Sequence, residues 1–277
     1  MDMKKILLYT ALALLGATAC KQQAQDSLQV MSFNVRNSAA EDGDNCWENR
    51  RDAAVAMLNT LKPDVVGMQE VLPDQQDYLS AHCPDYAAYG IGRDDGENGE
   101  RMTVMYNRQV LEFVGGGTWW LSETPDVPSV GWDAKYPRTA TWLLLKDLRC
   151  NKQFYIVNTH LDHRGVEARR EGLLLVVNKI KEMNPDIPMI LMGDFNVEPG
   201  DPALVALEGL MLDARTTAPV TEDTPSFNGY NPEPQKLIDY IYYSGFAAAQ
   251  EFRVITESFN GVPFISDHYP IQAILTY

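Results

Sequence analysis

Two short polar clusters in this 277-residue chain carry residue types that do chemistry: Gly193-Asp194-Phe195-Asn196, and Ser266-Asp267-His268-Tyr269-Pro270 near the other end. Each stands against a run of apolar, strand-forming residues. Asp194 and Asn196 are two apart, so at a strand end they share a face while Phe195 packs behind them. Asp267 and His268 set a carboxylate that suits a hard metal ion beside an imidazole that titrates near neutrality. Metal-assisted attack of water on a phosphoester is the chemistry these groups suggest. Either cluster alone is also ordinary turn chemistry, because Gly, Asp, Asn and Pro favour loops, so the reading depends on what else the chain brings.

It brings four more clusters of the same kind. Asn34 follows Phe33, Gln69-Glu70 follows Met68, Asn158-Thr159-His160 follows Val157, and Asp239 lies between Ile238 and Tyr240. Polar residues repeatedly placed at the ends of apolar runs are the pattern of a site built along one edge of a sheet sandwich.

The elements that must position them follow from periodicity. Residues 28–34 alternate like a strand, and residues 47–61 carry Ala53, Ala54, Met57, Leu58 and Leu61 at helical spacing before Pro63 stops them. A buried strand is predicted over 64–69. Further strands are expected at 102–106, 110–114, 139–145 and 154–159, in a pattern of hairpins more than helical crossovers. Residues 166–183 set Glu167, Arg169, Arg170 and Glu171 opposite Leu173, Leu174, Val177 and Ile180, an amphipathic helix ending at Asn184-Pro185. Strands follow at 189–192, 237–243, 252–255 and 271–275. The fold class expected is α+β: two packed mixed, largely antiparallel sheets flanked by helices.

The N-terminus reads Lys4-Lys5, an apolar run over residues 6–15, then small residues into Cys20. That order resembles a bacterial lipoprotein signal, and the run is well short of the roughly 20 residues that span a bilayer. Residues 1–19 are expected to be a cleaved signal peptide, Cys20 the site of lipid attachment and 20–27 a tether, giving an exported protein anchored to a bacterial membrane, periplasmic or at the cell surface. Residues 28–277 show no linker or repeat and are read as one domain. Cys46, Cys83 and Cys150 lack zinc-ligand spacing, and an oxidising compartment would permit a Cys46 to Cys83 bridge. The formal charge of −15 becomes −16 without residues 1–19, since Asp2, Lys4 and Lys5 leave together. Such a surface repels polyanions, and no basic stripe of the nucleic-acid binders is visible.

With these six clusters in this order, the chain resembles the endonuclease/exonuclease/phosphatase superfamily over residues 28–277. That superfamily includes pancreatic-type deoxyribonucleases, abasic-site endonucleases, bacterial sphingomyelinases and inositol polyphosphate 5-phosphatases. The resemblance implies the four-layer deoxyribonuclease-like architecture. It also implies Mg²⁺, with Mn²⁺ as the substitute, held by Glu70 with Asn34 and Asp267 in the same metal and phosphate site. Asp194 matches the residue that orients or deprotonates the attacking water, and Asn196 a donor to the phosphate or nucleophile. Asp239 matches the carboxylate that holds the catalytic His268, and His160 a contact to the scissile phosphate. Glu100 corresponds to a carboxylate that supports His160, and Arg138 suits a phosphate clamp. Trp119, Trp120 and Trp132 are candidates for a wall against a sugar or lipid headgroup, or for core packing.

The resulting expectation is a monomeric phosphodiesterase or phosphatase acting on a small-molecule or lipid-headgroup phosphoester. Two alternatives are an extracytoplasmic nuclease acting on DNA or RNA and a binding lipoprotein without catalysis. No nucleophile elbow, catalytic-cysteine context or Gly-rich phosphate loop supports a rival hydrolase chemistry.

Overall fold

The structure is a computed structural model that describes residues 27–233 and 235–277. The signal peptide, Cys20 and nearly all of the tether lie outside the described residues. In chain order the main elements are β1 (Ser27–Asn34), α1 (Trp47–Leu61), β2 (Val65–Val71), α2 (Pro73–His82), β3 (Tyr86–Tyr89), β4 (Arg101–Asn107), β5 (Leu111–Trp120), β6 (Thr139–Asp147), β7 (Lys152–His160), α3 (Val166–Glu182), β8 (Met189–Asp194), β9 (Leu212–Asp213), the short α4 (Ala214–Thr217), β10 (Asp239–Ser244), β11 (Ala248–Val254) and β12 (Ile271–Thr276).

The strands form two six-stranded sheets, ordered β11-β12-β1-β2-β4-β3 and β5-β6-β7-β8-β10-β9. Most neighbours are antiparallel. The exceptions are β1 with β2 and β7 with β8, each a parallel pair joined across a helix, α1 in one sheet and α3 in the other. Those two connections are crossovers because parallel strands need a long return path. Leu28, Val30, Val65, Ile156, Ile190 and Phe252 belong to the apolar layer between the sheets. Outside the first sheet, Ala53, Met57 and Leu58 of α1 pack on Met31, Phe33 and Met68; outside the second, Leu173, Val177 and Ile180 of α3 pack on Val157 and Leu191. The result is the expected four-layer sandwich of helix, sheet, sheet and helix.

One inter-sheet contact is polar. Gln69 Nε2 donates to Asn158 Oδ1 at 2.7 Å, and Asn158 Nδ2 donates back to the carbonyls of Met68 and Thr103 at 2.8 and 3.1 Å. The sheets come this close because Gly67 has no side chain. A Cβ there would sit 2.7 Å from Met192 Sδ and 2.9 Å from Asn158 Oδ1. Both amide N–H groups and the Asn158 oxygen are paired in this way, and the contact fixes the height of β2 against β7. Cys46 and Cys83 are not bridged, and Cys83 is a buried core residue.

Candidate active site

Strand register gathers the predicted residues at one edge of the sandwich. Asn34 and Glu70 end the parallel pair β1 and β2, and His160 and Asp194 end the parallel pair β7 and β8, directly opposite each other. Asp239 opens β10 opposite Asp194, and Asp267 and His268 lead into β12. A cleft of about 390 Å³ at this edge is lined by Glu70, Glu100, Arg138, His160, Asp194, Asn196, Asp267 and His268, together with Arg36, Asn37, Arg93, Tyr136, His163 and Lys236.

Backbone distortions aim the side chains. Glu70 has φ 62° where the β2 to β4 register shifts between Met68 and Val71, so its carboxylate leaves the sheet alternation and turns into the cleft. Asn196 has φ 53°, a conformation asparagine tolerates, and its backbone N–H donates to Asp194 Oδ1 at 2.9 Å. Gly193 makes this turn possible: its φ is 142°, and a Cβ would stand 1.8 Å from the Thr159 carbonyl oxygen.

On one side of the cleft Asn34 Nδ2 donates to Glu70 Oε1 at 3.1 Å and to Asp194 Oδ2 at 3.0 Å. Asn37 holds the other Glu70 oxygen through its backbone N–H and its side chain, at 3.1 and 3.0 Å. Burial opposes charge on Glu70, but the Asn34 hydrogen bond and the nearby His268 and Arg36 outweigh it, so the carboxyl is held below its ordinary range. Asp267 is pushed upward, by burial and then by Glu70, with Arg36 Nε 3.7 Å away. The Glu70 and Asp267 carboxylates supply oxygens of the kind that fit a hard divalent cation, while Asn34 turns its Nδ2 to Glu70 and Asp194 and its Oδ1 to the Arg36 N–H.

The adjoining group is an acid–base relay. His268 Nδ1 lies 2.8 Å from Asp239 Oδ2, and its Nε2 lies 3.7 Å from Asp194 Oδ2. Burial disfavours a charged imidazole, yet Asp239 and Asp194 raise His268 well above its usual value, so it is an imidazolium near neutrality. Asp194 moves the other way for a carboxyl, up to about 7, because burial outweighs the opposing pull of His268. Asp194, Asp239 and His268 also stand close enough to bind a metal jointly. The short bond from His268 Nδ1 to Asp239 makes proton handling the better account of this trio.

His160 is the opposite case. Burial and the Arg138 and Arg93 guanidiniums keep it well below its usual value, hence neutral. Its Nε2 faces Asn196 Nδ2 at 3.0 Å and Asp194 Oδ2 at 3.5 Å. Accepting from Asn196 places the ring proton on Nδ1, a buried atom with no partner.

One expectation is corrected. Glu100 does not support His160: its carboxylate pairs with Arg93, and burial, then Glu70, pushes it up to about 7. Of the two readings of the tryptophans, packing is the one the structure favours. Trp119 stacks on Trp142 at 6.0 Å outside the second sheet, and buried Trp120 donates its Nε1 to the Arg93 carbonyl at 2.7 Å. Neither they nor Trp132 line the cleft. Arg138 does reach it, fixed by Asp162 at 3.2 Å and by His163 Nδ1 at 2.9 Å.

Sequence reasoning missed Asn37, Arg93, Asp162, His163 and a residue outside the cleft, Arg50. Arg50, on α1 and 1% exposed, donates Nη1 to the carbonyls of Val35 and Ile265 at 2.9 and 2.6 Å, tying the segment after Asn34 to the one before Asp267. Only Arg50 gave a signal, as a charge on the apolar face of a predicted helix.

Comparison with known proteins agrees with this geometry. A Bacteroides thetaiotaomicron mannosyl-6-phosphatase superposes with TM-score 0.87 at 32% identity, over 90% of this chain and all of that one. A Bacteroides vulgatus endonuclease/exonuclease/phosphatase gives TM-score 0.85 at 37% identity, over 90% of this chain and 98% of that one. An uncharacterized protein of Acanthamoeba polyphaga mimivirus is 30% identical over 166 residues, 55% of this chain and 60% of that protein. The chain spans less than two thirds of the length of the curated relatives it matches. The profile of the Endonuclease/Exonuclease/phosphatase family matches residues 31–268, and the chain belongs to that family.

Proposed function

We propose that this protein is a metal-dependent hydrolase of phosphoester bonds in small molecules, with sugar phosphates the first class to test. The observation that carries the reading is the gathering at one cleft of the Glu70 and Asp267 carboxylates with Asp194 and His268, Asn34 bridging Glu70 and Asp194 through its Nδ2 and Asp239 holding His268 from behind. The name of the Bacteroides thetaiotaomicron relative supports the substrate class.

Water attacks phosphorus in line with the leaving oxygen. Asp194 accepts the water's proton, which its raised carboxyl pKa favours, and Asn196, whose Nδ2 serves His160 Nε2 and the Leu161 carbonyl, orients the water through its Oδ1. The His268 imidazolium, held by Asp239, donates to the phosphate as charge develops. Mg²⁺ or Mn²⁺ held by Glu70 and Asp267, with Asn34, would polarise the phosphoryl oxygen and stabilise the leaving oxygen. No side chain forms a bond to phosphorus.

The charge of −15 favours small substrates over nucleic acid, so the nuclease reading is second. The order of Lys4-Lys5, apolar run, small residues and Cys20 supports export and a lipid anchor. Among the described residues no helix is long and apolar enough to cross a membrane.

The deciding experiment measures turnover of sugar phosphates, inositol phosphates, sphingomyelin, bis-p-nitrophenyl phosphate and plasmid DNA with Mg²⁺, Mn²⁺ or chelator. Chelator-sensitive release of phosphate from a sugar phosphate is the expected result. Silence on every substrate by folded, metal-binding protein overturns the hydrolase reading in favour of a binding lipoprotein.

A further inference from the structure

The cleft has two chemically different halves. Glu70, Asp194 and Asp267 line one, and Arg93, Arg138 and His160 line the other. The two guanidiniums act together on His160 and on Glu100, which places them side by side. Arg93, Arg138 and His160 are 9%, 5% and 5% exposed. Arg138 and Arg93 are the two cations that act most strongly on His160, and two preorganised guanidiniums lining one cleft beside a neutral imidazole fit an anion there.

Each donor is held from its other side. Glu100 grips Arg93 Nη1, while Trp120 Nε1 bonds the Arg93 carbonyl. Asp162 and His163 fix Arg138. Asn196 fixes His160. The guanidiniums are therefore preorganised, with a bond spent on a carboxylate and a bond left for a ligand. Tyr136, 40% exposed at the mouth, lays its ring 5.5 Å from the Arg93 Cζ and covers that guanidinium.

We infer that this half of the cleft anchors a terminal phosphate, so that the substrate is a phosphomonoester, and that Arg93 sets the preference for monoesters over diesters. The inference rests on the phosphoester-hydrolase reading and narrows it. A diester offers two non-bridging oxygens and one negative charge. A terminal phosphate offers three oxygens and up to two charges. His268 already serves the reacting side, so the two further cations, Arg93 and Arg138, match the third oxygen and the second charge.

Two measurements on full-length protein test this. The first is calorimetric titration of inorganic phosphate into chelator-treated protein. Arg93→Gln should bind phosphate about ten- to a hundredfold more weakly, the loss of one charged hydrogen bond, and Arg93→Lys should recover part of it. The second is kcat/KM for p-nitrophenyl phosphate against bis-p-nitrophenyl phosphate. Wild type should favour the monoester, and Arg93→Gln should lose at least about tenfold more on the monoester than on the diester. Unchanged phosphate binding, equal losses on both esters, or a wild-type preference for the diester overturns the inference. Arg93-dependent phosphate binding in a protein that hydrolyses neither ester sinks the hydrolase reading and leaves the anchor standing. Circular dichroism of Arg93→Lys guards against a loss that merely reports unfolding.

Discussion

Asp239 and His268 are joined by a 2.8 Å contact between Oδ2 and Nδ1, although 28 residues separate them along the chain. Asp239 lies in register with Asp194 on the neighbouring strand, so the imidazole has a carboxylate on each of its nitrogens. Removing one of the two carboxylates has a calculable sign. Asp239 is the leading cause that raises His268, and burial pulls the other way. Asp239→Asn should therefore lower the His268 pKa, and the alkaline limb of the rate profile should move to lower pH. A pH–rate profile of variant and wild type checks this; an unmoved alkaline limb would show that His268 is not the acid.

His268 and His160 should titrate in opposite directions in metal-free protein. His268, raised, contributes stability that is present below pH about 6.5 and lost as pH rises through its folded value. His160, lowered, contributes stability that is present above pH about 6.5 and lost as pH falls through its folded value. Imidazole nitrogen NMR should find His268 doubly protonated and His160 neutral near pH 6.5, with the His160 proton on Nδ1. Finding His160 charged there contradicts the assignment.

Glu70 is the residue on which the metal reading depends. Glu70→Gln removes the charge while keeping the bulk, and Mg²⁺ affinity should fall at least about tenfold to a hundredfold, with most turnover lost. Titration calorimetry with Mg²⁺ measures the first effect independently of activity. A Glu70→Gln protein that binds Mg²⁺ like wild type would place the ion elsewhere, and Asp194, Asp239 and His268 would be the next group to test.

Asn158 acts on Glu70 from a distance. Asn158→Ala removes the 2.7 Å acceptor of Gln69 Nε2, which keeps Ser32 Oγ and the Gly67 carbonyl, and leaves the Met68 and Thr103 carbonyls without this donor. Urea unfolding should show a loss of about 3 kcal/mol. Activity of the remaining folded protein should fall as well, because Met68 begins the irregular stretch that turns Glu70 inward. Full activity with lowered stability would limit Asn158 to a structural part.

Arg50→Met tests the tie between chain segments. It leaves the Val35 and Ile265 carbonyls unpaired in the interior, for a cost of roughly 2–4 kcal/mol. Mg²⁺ affinity should weaken along with stability, since those carbonyls adjoin the segments bearing Asn34 and Asp267. Wild-type Mg²⁺ affinity in Arg50→Met would show that the segments hold their place unaided.

What was legible in the sequence follows from how each residue is placed. The residues of the acid–base and metal groups stand at the ends of apolar runs, and register brings such ends together, so the six clusters could be read as one edge. The helix at residues 47–61 matched α1 because its apolar spacing is regular. α2 was missed because only Gln75 and Leu79 of its ten residues are buried, which leaves no period to detect. β5 runs to Trp120, well past the expected end at 114, because Gly115, Gly116 and Gly117 lower strand propensity while pairing still carries them. Arg93 and His163 lie in segments dense with Gly and Asp, where local pattern signals a turn and says nothing about which side chains return to the cleft. Glu100 was misassigned for the same reason, since its partner Arg93 lies across an irregular loop.

The strand that begins the described chain is paired with the strand that ends it, Ser27 opposite Thr276, and the site takes Asn34, which holds Glu70 and Asp194, from the first and His268 from just before the last. A nascent chain that has emerged only as far as Ser266 lacks the imidazole, the Asp267 carboxylate and the partner strand of β1. Catalytic competence therefore waits until residues 267–276 have emerged. The polypeptide stays chemically silent up to that point, and deleting residues 267–276 should cost the whole molecule rather than one edge of it.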